Sequence, residues 1–155
     1  MRIPWTSSAV LIASLTLILL SSASRAQNAS SAERQLFDAA NHERRSQGIA
    51  ALQWDEALAA AAHNHALEMA KRSTVSHQFP GEPSFPTRTR QAGAHYSSLA
   101  EDVDQGPNAG VIHQRLMASP LHRANILDRG MDSPGIGMAE RDGQWYAVED
   151  FSKAK

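Results

Sequence analysis

The chain has 155 residues, 42% of them hydrophobic and 20% charged, with a formal charge of −1 and no cysteine. That composition is globular and excludes disordered, collagen-like and disulfide-stapled classes, and the near-neutral balance offers nucleic acid no basic footprint. Thiolate metal sites, cysteine nucleophiles and a lipid-modified N-terminal cysteine are excluded as well.

Arg2 precedes an apolar run from Ala9 to Leu20, and Ser24-Arg25-Ala26 puts small residues at both specificity positions of a signal-peptidase site. The run has 12 residues. A spanning helix needs roughly 20, so residues 1–26 read as a secretory signal peptide and not as a stable membrane anchor. Their removal takes away Arg2 and Arg25 and no acid, leaving 13 basic and 16 acidic residues and a net charge of −3 on a chain beginning near Gln27. Residues 27–155 are expected to form a single domain, large enough for one core without staples. The expected product is a monomer in the periplasm or outside the cell.

Ser31 to Gln47 reads as an amphipathic helix, with Leu36, Ala39, Ala40 and His42 or Glu43 on one stripe and Gly48 as its stop. Asp55 caps a second helix running to about Arg72, whose apolar face (Ala57, Leu58, Ala61, Ala62, His65, Ala66, Met69) is rich in small residues. Ser73 to Gly93, broken by Pro80, Gly81, Pro83 and Pro86, reads as a long irregular excursion carrying His77. Loops this long in compact domains are often functional.

A short strand is expected between Tyr96 and Val103, then a Gly106-Pro107-Asn108 turn and a helix from Ala109 to Met117. Ser119 is placed as the side-chain cap of another helix, with Pro120 in its first position and His122 in its first turn, ending near Leu127. Ile136 to Glu140 and Trp145 to Phe151 flank Asp142-Gly143, a pair favoured in tight hairpins. Helices first and a hairpin last argue for an α+β domain with antiparallel strands.

Three stretches carry chemistry: Ser76-His77, Ala100-Glu101-Asp102 and Ser119 to Leu127 with His122. Two imidazoles and a carboxylate from separate elements suit a divalent-metal or acid/base cluster, or each can close a local hydrogen-bond network. At the positive end of a helix, His122 is placed where a lone-pair-bearing ring is favoured. His42-Glu43-Arg44-Arg45-Ser46 starts like a zincin motif but has Ser46 where the second histidine belongs. His63 and His65 splay to different sides of their helix; His65 and Glu68 are better spaced, yet a packed histidine beside a surface acid accounts for them. Trp54, Trp145, Tyr146 and Phe151 are expected in the core, and Phe85 and Tyr96 are candidates to line a cleft.

The order of these stretches resembles the CAP superfamily of cysteine-rich secretory, antigen 5 and pathogenesis-related 1 proteins, in its cysteine-free bacterial SCP-like branch. The likeness runs through Asn41-x-x-Arg44, Leu52-x-Trp54, Ala62 to Met69, Ser76-His77, Arg88 to Gly93, Ala100-Glu101-Asp102, Ser119-Pro120-x-His122-Arg123-Ala124-Asn125-Ile126-Leu127, Ile136-Gly137-Met138 and Trp145 to Phe151. It implies an α-β-α sandwich with a small central antiparallel sheet flanked by helices. It also implies a surface cleft with two histidines and two acids, often holding a divalent cation.

Carried over by motif, the ligating residues are His77, Glu101 and His122, with zinc the preferred cation. The second acid is replaced by Ser119. The family's Gly-Glu-Asn reads Ala100-Glu101-Asp102, its Trp before the last helix reads Leu116, and its Gln in the last strand reads Glu149. Asp102 and Glu149 are the candidates for the lost carboxylate, although extended backbone turns Asp102 to the face opposite Glu101. A cation with one carboxylate fewer is held more weakly. A secreted binding module for a cation or small ligand, lipid-like or glycan-like, is therefore favoured. The alternative is a metal-assisted hydrolase of peptide or cell-wall material with Glu101 as general base.

Overall fold

A computed structural model describes residues 29–155; the expected signal segment lies outside the described residues. Helix α1 spans Ser31–Ser46 and starts from a reciprocal cap, in which Ser30 Oγ accepts from the Glu33 amide at 3.2 Å and Glu33 accepts from the Ser30 amide at 2.6 Å. Gly48, at φ 65°, follows its end in the left-handed conformation that few other residues adopt cheaply.

The buried stripe of α1 differs from the expected one, for Asn41 and Arg44 lie inside while His42 is exposed. Each polar group is satisfied. Asn41 exchanges two hydrogen bonds with the Leu52 backbone, and Arg44 donates to the carbonyls of Ala50, Ile126, Asp128 and Met131 at 2.8–3.0 Å. Apolar periodicity does not see a polar side chain that carries its own buried partners.

Helix α2, Glu56–Arg72, is capped by Asp55, whose carboxylate accepts from the Ala57 and Leu58 amides. A seven-residue helix α3, Phe85–Gln91, interrupts the stretch expected to be irregular. Pro86 sits in its first turn, where a fixed φ helps and no amide is needed, so this proline starts a helix instead of breaking one. Strand β1, Tyr96–Gly106, runs three residues beyond Val103 because its pairing continues to Gly106 opposite Trp145.

Helix α4 covers Ala109–Ala118 behind an Asn108 cap, and α5 covers Pro120–Ile126. Ser119 stands at the α5 N-cap position but its hydroxyl makes no capping bond, contrary to expectation. The residue also closes α4, and its carbonyl accepts from the Arg123 amide at 2.9 Å. Strands β2, Ser133–Arg141, and β3, Gln144–Ala154, form the hairpin, with Asp142 at φ 52° and Gly143 at φ 76° as a two-residue turn requires.

The sheet is antiparallel in the order β1-β3-β2, with helices on both faces. One core joins α1, α4 and α5 to Ile136, Met138, Ala147 and Phe151; the other joins α2 and Phe79 to Val103, Ala139, Tyr146 and Val148. Tyr146 and Phe151 are buried, whereas Trp54 and Trp145 pack half-buried at the first core's margin. The architecture is the expected α+β, α-β-α sandwich. Helix α2 lies on β2 backbone to backbone: a Cβ added at Gly135 or Gly137 would stand 2.1 Å from the Ala59 or His63 nitrogen.

Candidate functional site

Strand alternation sends Glu101 of β1 to the α2 side of the sheet, directly opposite Asp150 of β3. Asp150 is fully buried and neither of its oxygens has a hydrogen-bond partner among the described residues. Burial pushes its carboxyl well above the ordinary range, with the Arg88 charge opposing. Arg88, from α3, forms an ion pair with Glu101 Oε2 and donates from Nη1 to the His77 carbonyl at 3.2 Å.

The other Glu101 oxygen lies 2.8 Å from His77 Nδ1. The two side chains differ sharply in exposure, 61% for His77 and 3% for Glu101, so the acid forms a floor and the imidazole a mouth. That contact leaves His77 Nε2 as the second ring nitrogen. Burial lowers the His77 pKa from 6.5, with the nearby His122, His65 and Arg88 charges acting in the same direction. The ring is thereby kept neutral and able to donate a lone pair.

His122, the third residue of α5, is half-buried and acts on His77 through its charge. The structure thus joins His77 to Glu101 by contact and brings His122 near as an electrostatic neighbour. Among the described residues no three His, Asp or Glu side chains are gathered closely enough to hold a metal ion. Two neutral imidazoles are of the donor type that divalent cations take, and Glu101 stands behind the first ring as a carboxylate partner.

Asp102 and Glu149 do not supply the missing acid of this cleft. They form the neighbouring register pair, on the α4 and α5 side of the sheet, where Asp102 accepts from Asn125 Nδ2 at 2.6 Å. Burial pushes Asp102 to about 7 against the Asn125 hydrogen bond, and burial together with the Asp102 charge pushes Glu149 well above the carboxylate range. Sequence reading missed Arg88 and Asp150. Arg88 carried no role within Arg88 to Gly93, and only the β1–β3 register, which alternation within one strand cannot give, sets Asp150 across from Glu101.

The segment between α2 and α3 is held from below by His65, whose side chain is fully buried. Its Nδ1 lies 2.6 Å from Glu82 Oε1 and its Nε2 lies 2.7 Å from the Ser76 carbonyl. Glu82 Oε2 accepts from the Phe79 amide at 3.0 Å. Glu68, the better-spaced partner by sequence, pairs instead with Lys71 and Arg72 at the surface. A groove of about 350 Å³ opens beside this network, lined by Asn64, His65, Glu68, Glu82, Arg88 and Gln91 among others. Phe85 does not stand free in a cleft: the Arg88 guanidinium lies 5.0 Å from its ring centre. Tyr96 donates to the Pro86 carbonyl at 2.9 Å.

Residues 37–151, from inside α1 to near the end of β3, match the cysteine-rich secretory protein family, CAP. The chain belongs to the CAP family. Among its relatives, YkwD of Bacillus subtilis is 28% identical over 114 residues, covering 73% of this chain and 44% of that protein. This chain therefore spans under half of that relative. An extracellular SCP-domain protein of Bacillus anthracis superposes with a TM-score of 0.73 at 21% identity, over 78% of this chain and 40% of the other. An outer surface protein of Borrelia burgdorferi gives 0.72 at 19% identity, over 79% and 92%. Both likenesses carry the CAP fold. Among the described residues no helix is long and apolar enough to cross a membrane.

Proposed function

We propose that this CAP domain is an exported binding module whose cleft takes a divalent cation, zinc preferred, or a small ligand at His77 and His122. The observation that carries this reading is the engagement of Glu101, one oxygen with His77 and the other with Arg88. A hydrolase needs a carboxylate free to take a proton from water. Glu101 is committed to orienting His77, and its charge is matched by a buried guanidinium. Asp150, the register partner of Glu101 across β1 and β3, is without exposure.

Each residue then has a distinct task. Glu101 fixes the His77 ring from below, burial and the surrounding positive charges keep that ring neutral, and His122 adds a second imidazole from α5. A bound divalent cation supplies Lewis acidity and a point of attachment for an anionic or hydroxyl-bearing ligand. Export is supported by the signal-like residues 1–26 and by relatives described as extracellular and outer-surface proteins.

Calorimetric titration of the purified protein with Zn²⁺ tests the reading, alongside assays on peptide, ester and peptidoglycan substrates. The expected result is reversible binding, weakened about tenfold or more by His77→Ala or His122→Ala as is usual for lost metal-site groups, and no turnover. Metal-dependent turnover abolished by Glu101→Gln in a folded variant would overturn it in favour of a metal-assisted hydrolase.

A further inference from the structure

His77 has an exposed side chain on a long connection, yet the two peptide groups on either side of its Cα are both fastened. The Ser76 carbonyl lies 2.7 Å from His65 Nε2, and the His77 carbonyl accepts from Arg88 Nη1 at 3.2 Å. Because a peptide unit is planar, holding the Ser76 oxygen also orients the His77 amide, and holding the His77 oxygen orients the next unit. Both soft dihedrals at His77 are therefore set from outside the residue. His65 holds one plane and Arg88 the other.

His65 can do this only because it is itself locked. Its side chain is fully buried in α2, and both ring nitrogens face acceptors, Ser76 O on one side and Glu82 Oε1 on the other. Both ring nitrogens are thus occupied, Nε2 by the Ser76 carbonyl and Nδ1 by the Glu82 carboxyl group, and the ring has no freedom to turn. Glu82 completes the loop by accepting from the Phe79 amide, so Ser76, Phe79 and Glu82 are tied to a single imidazole.

We propose that His65 and Glu82 form a buried clamp that positions His77, setting the ring's direction and tautomer for the cation site. Neither residue lies in the Ser76-His77, Ala100-Glu101-Asp102 or Ser119 to Leu127 stretches. The proposal rests on the binding reading for its purpose but not for its geometry. With the clamp closed, the backbone holds His77 Nδ1 against Glu101; with it open, that contact is no longer held and the ring's tautomer is released.

The test is ¹⁵N NMR of the histidine rings in uniformly labelled, metal-free protein, with Zn²⁺ titration of the same samples. His65→Ala risks unfolding, so Glu82→Ala is the principal variant and Glu68→Ala, an acid beside the same groove that does not touch His65, is the control. In the wild type and in Glu68→Ala, His77 is expected to show one tautomer, protonated at Nδ1, and unchanged Zn²⁺ affinity. In folded Glu82→Ala its shifts should move toward the averaged pattern, with Zn²⁺ affinity down about tenfold. A single unshifted His77 tautomer in folded Glu82→Ala overturns the clamp. Absence of Zn²⁺ binding by the wild type overturns the binding reading instead, and the metal-free spectra still decide the clamp.

Discussion

Asp102 and Glu149 face each other directly across β1 and β3, two carboxyl side chains in one register pair and both without solvent exposure. Among the described residues Asn125 is the only side chain that donates to either. Two like charges at that separation cannot both be ionised in a dry interior, so the pair keeps a proton.

The consequence is a stability that falls as the solution becomes less acidic. Asp102 holds its proton in the folded chain up to about 7, while the unfolded chain releases it near 3.8. The folded form binds more protons throughout that window, so stability declines across it, and the raised Glu149 and Asp150 carboxyls act in the same direction. At about 1.4 kcal/mol per pKa unit the Asp102 share of the decline is on the order of 4 kcal/mol. Denaturant unfolding at about pH 4.5 and pH 8 measures it. The Asp102→Asn, Glu149→Gln double variant should lose this pair's share of the difference and keep that of Asp150, and an unchanged difference would contradict the assignment.

Arg88 pairs with Glu101, and its charge also acts on the buried Asp150, so its loss leaves Glu101 buried without its cation. Arg88→Met should cost about 3–5 kcal/mol, the range for breaking a buried ion pair from one side. Urea unfolding of the variant checks the figure. A cost under about 1 kcal/mol would mean that the two acids find other partners.

Gly135 and Gly137 have no room for a methyl group, because the clashing atoms are α2 backbone and not a movable side chain. Gly137→Ala should destabilise by about 3 kcal/mol or more, the upper part of the overpacking range. Gly143→Ala, with open space around its Cβ, should cost less and only through its φ of 76°. Comparison of the two melting curves separates close approach from backbone conformation.

Zinc binding at His77 should persist to lower pH than a free imidazole allows. Burial, with the Arg88 charge acting in the same direction, lowers the His77 pKa from 6.5, so protons compete for the ring only under stronger acid. Titrations across pH 5 to 8 should place half-loss of affinity below 6.5. A midpoint at or above that value would show that another group governs binding.

The end of the first helix and the start of the second were legible because Gly48 and Asp55 are local signals; the reciprocal Ser30–Glu33 cap is equally local, yet only the structure brings it out. The final hairpin was legible for the same reason, through Asp142-Gly143. Pro86 misled because one residue type serves equally to break a chain and to begin a helix. The site was half legible. His77, Glu101 and His122 stand in motif stretches, but Arg88 and Asp150 join them through a register fixed over 49 residues, from Glu101 to Asp150, and no local pattern encodes that. His65 was read as a packed histidine, which it is; its partners lie 11 and 17 residues away on a segment whose path the sequence leaves open.

The guanidinium of Arg44 has a bearing on when the chain can fold. Three of its four acceptors lie 82 to 87 residues downstream, and Glu33 in the same helix reaches the Met138 amide across 105 residues. While the chain is being made, α1 therefore carries a buried cation and a buried acid whose partners do not yet exist. Closing such distant contacts is slow because the entropy of a long loop is lost before any bond is gained. Full docking of the first helix therefore needs β2 to have emerged. A chain truncated before Met131 should leave α1 undocked, with Arg44 in water.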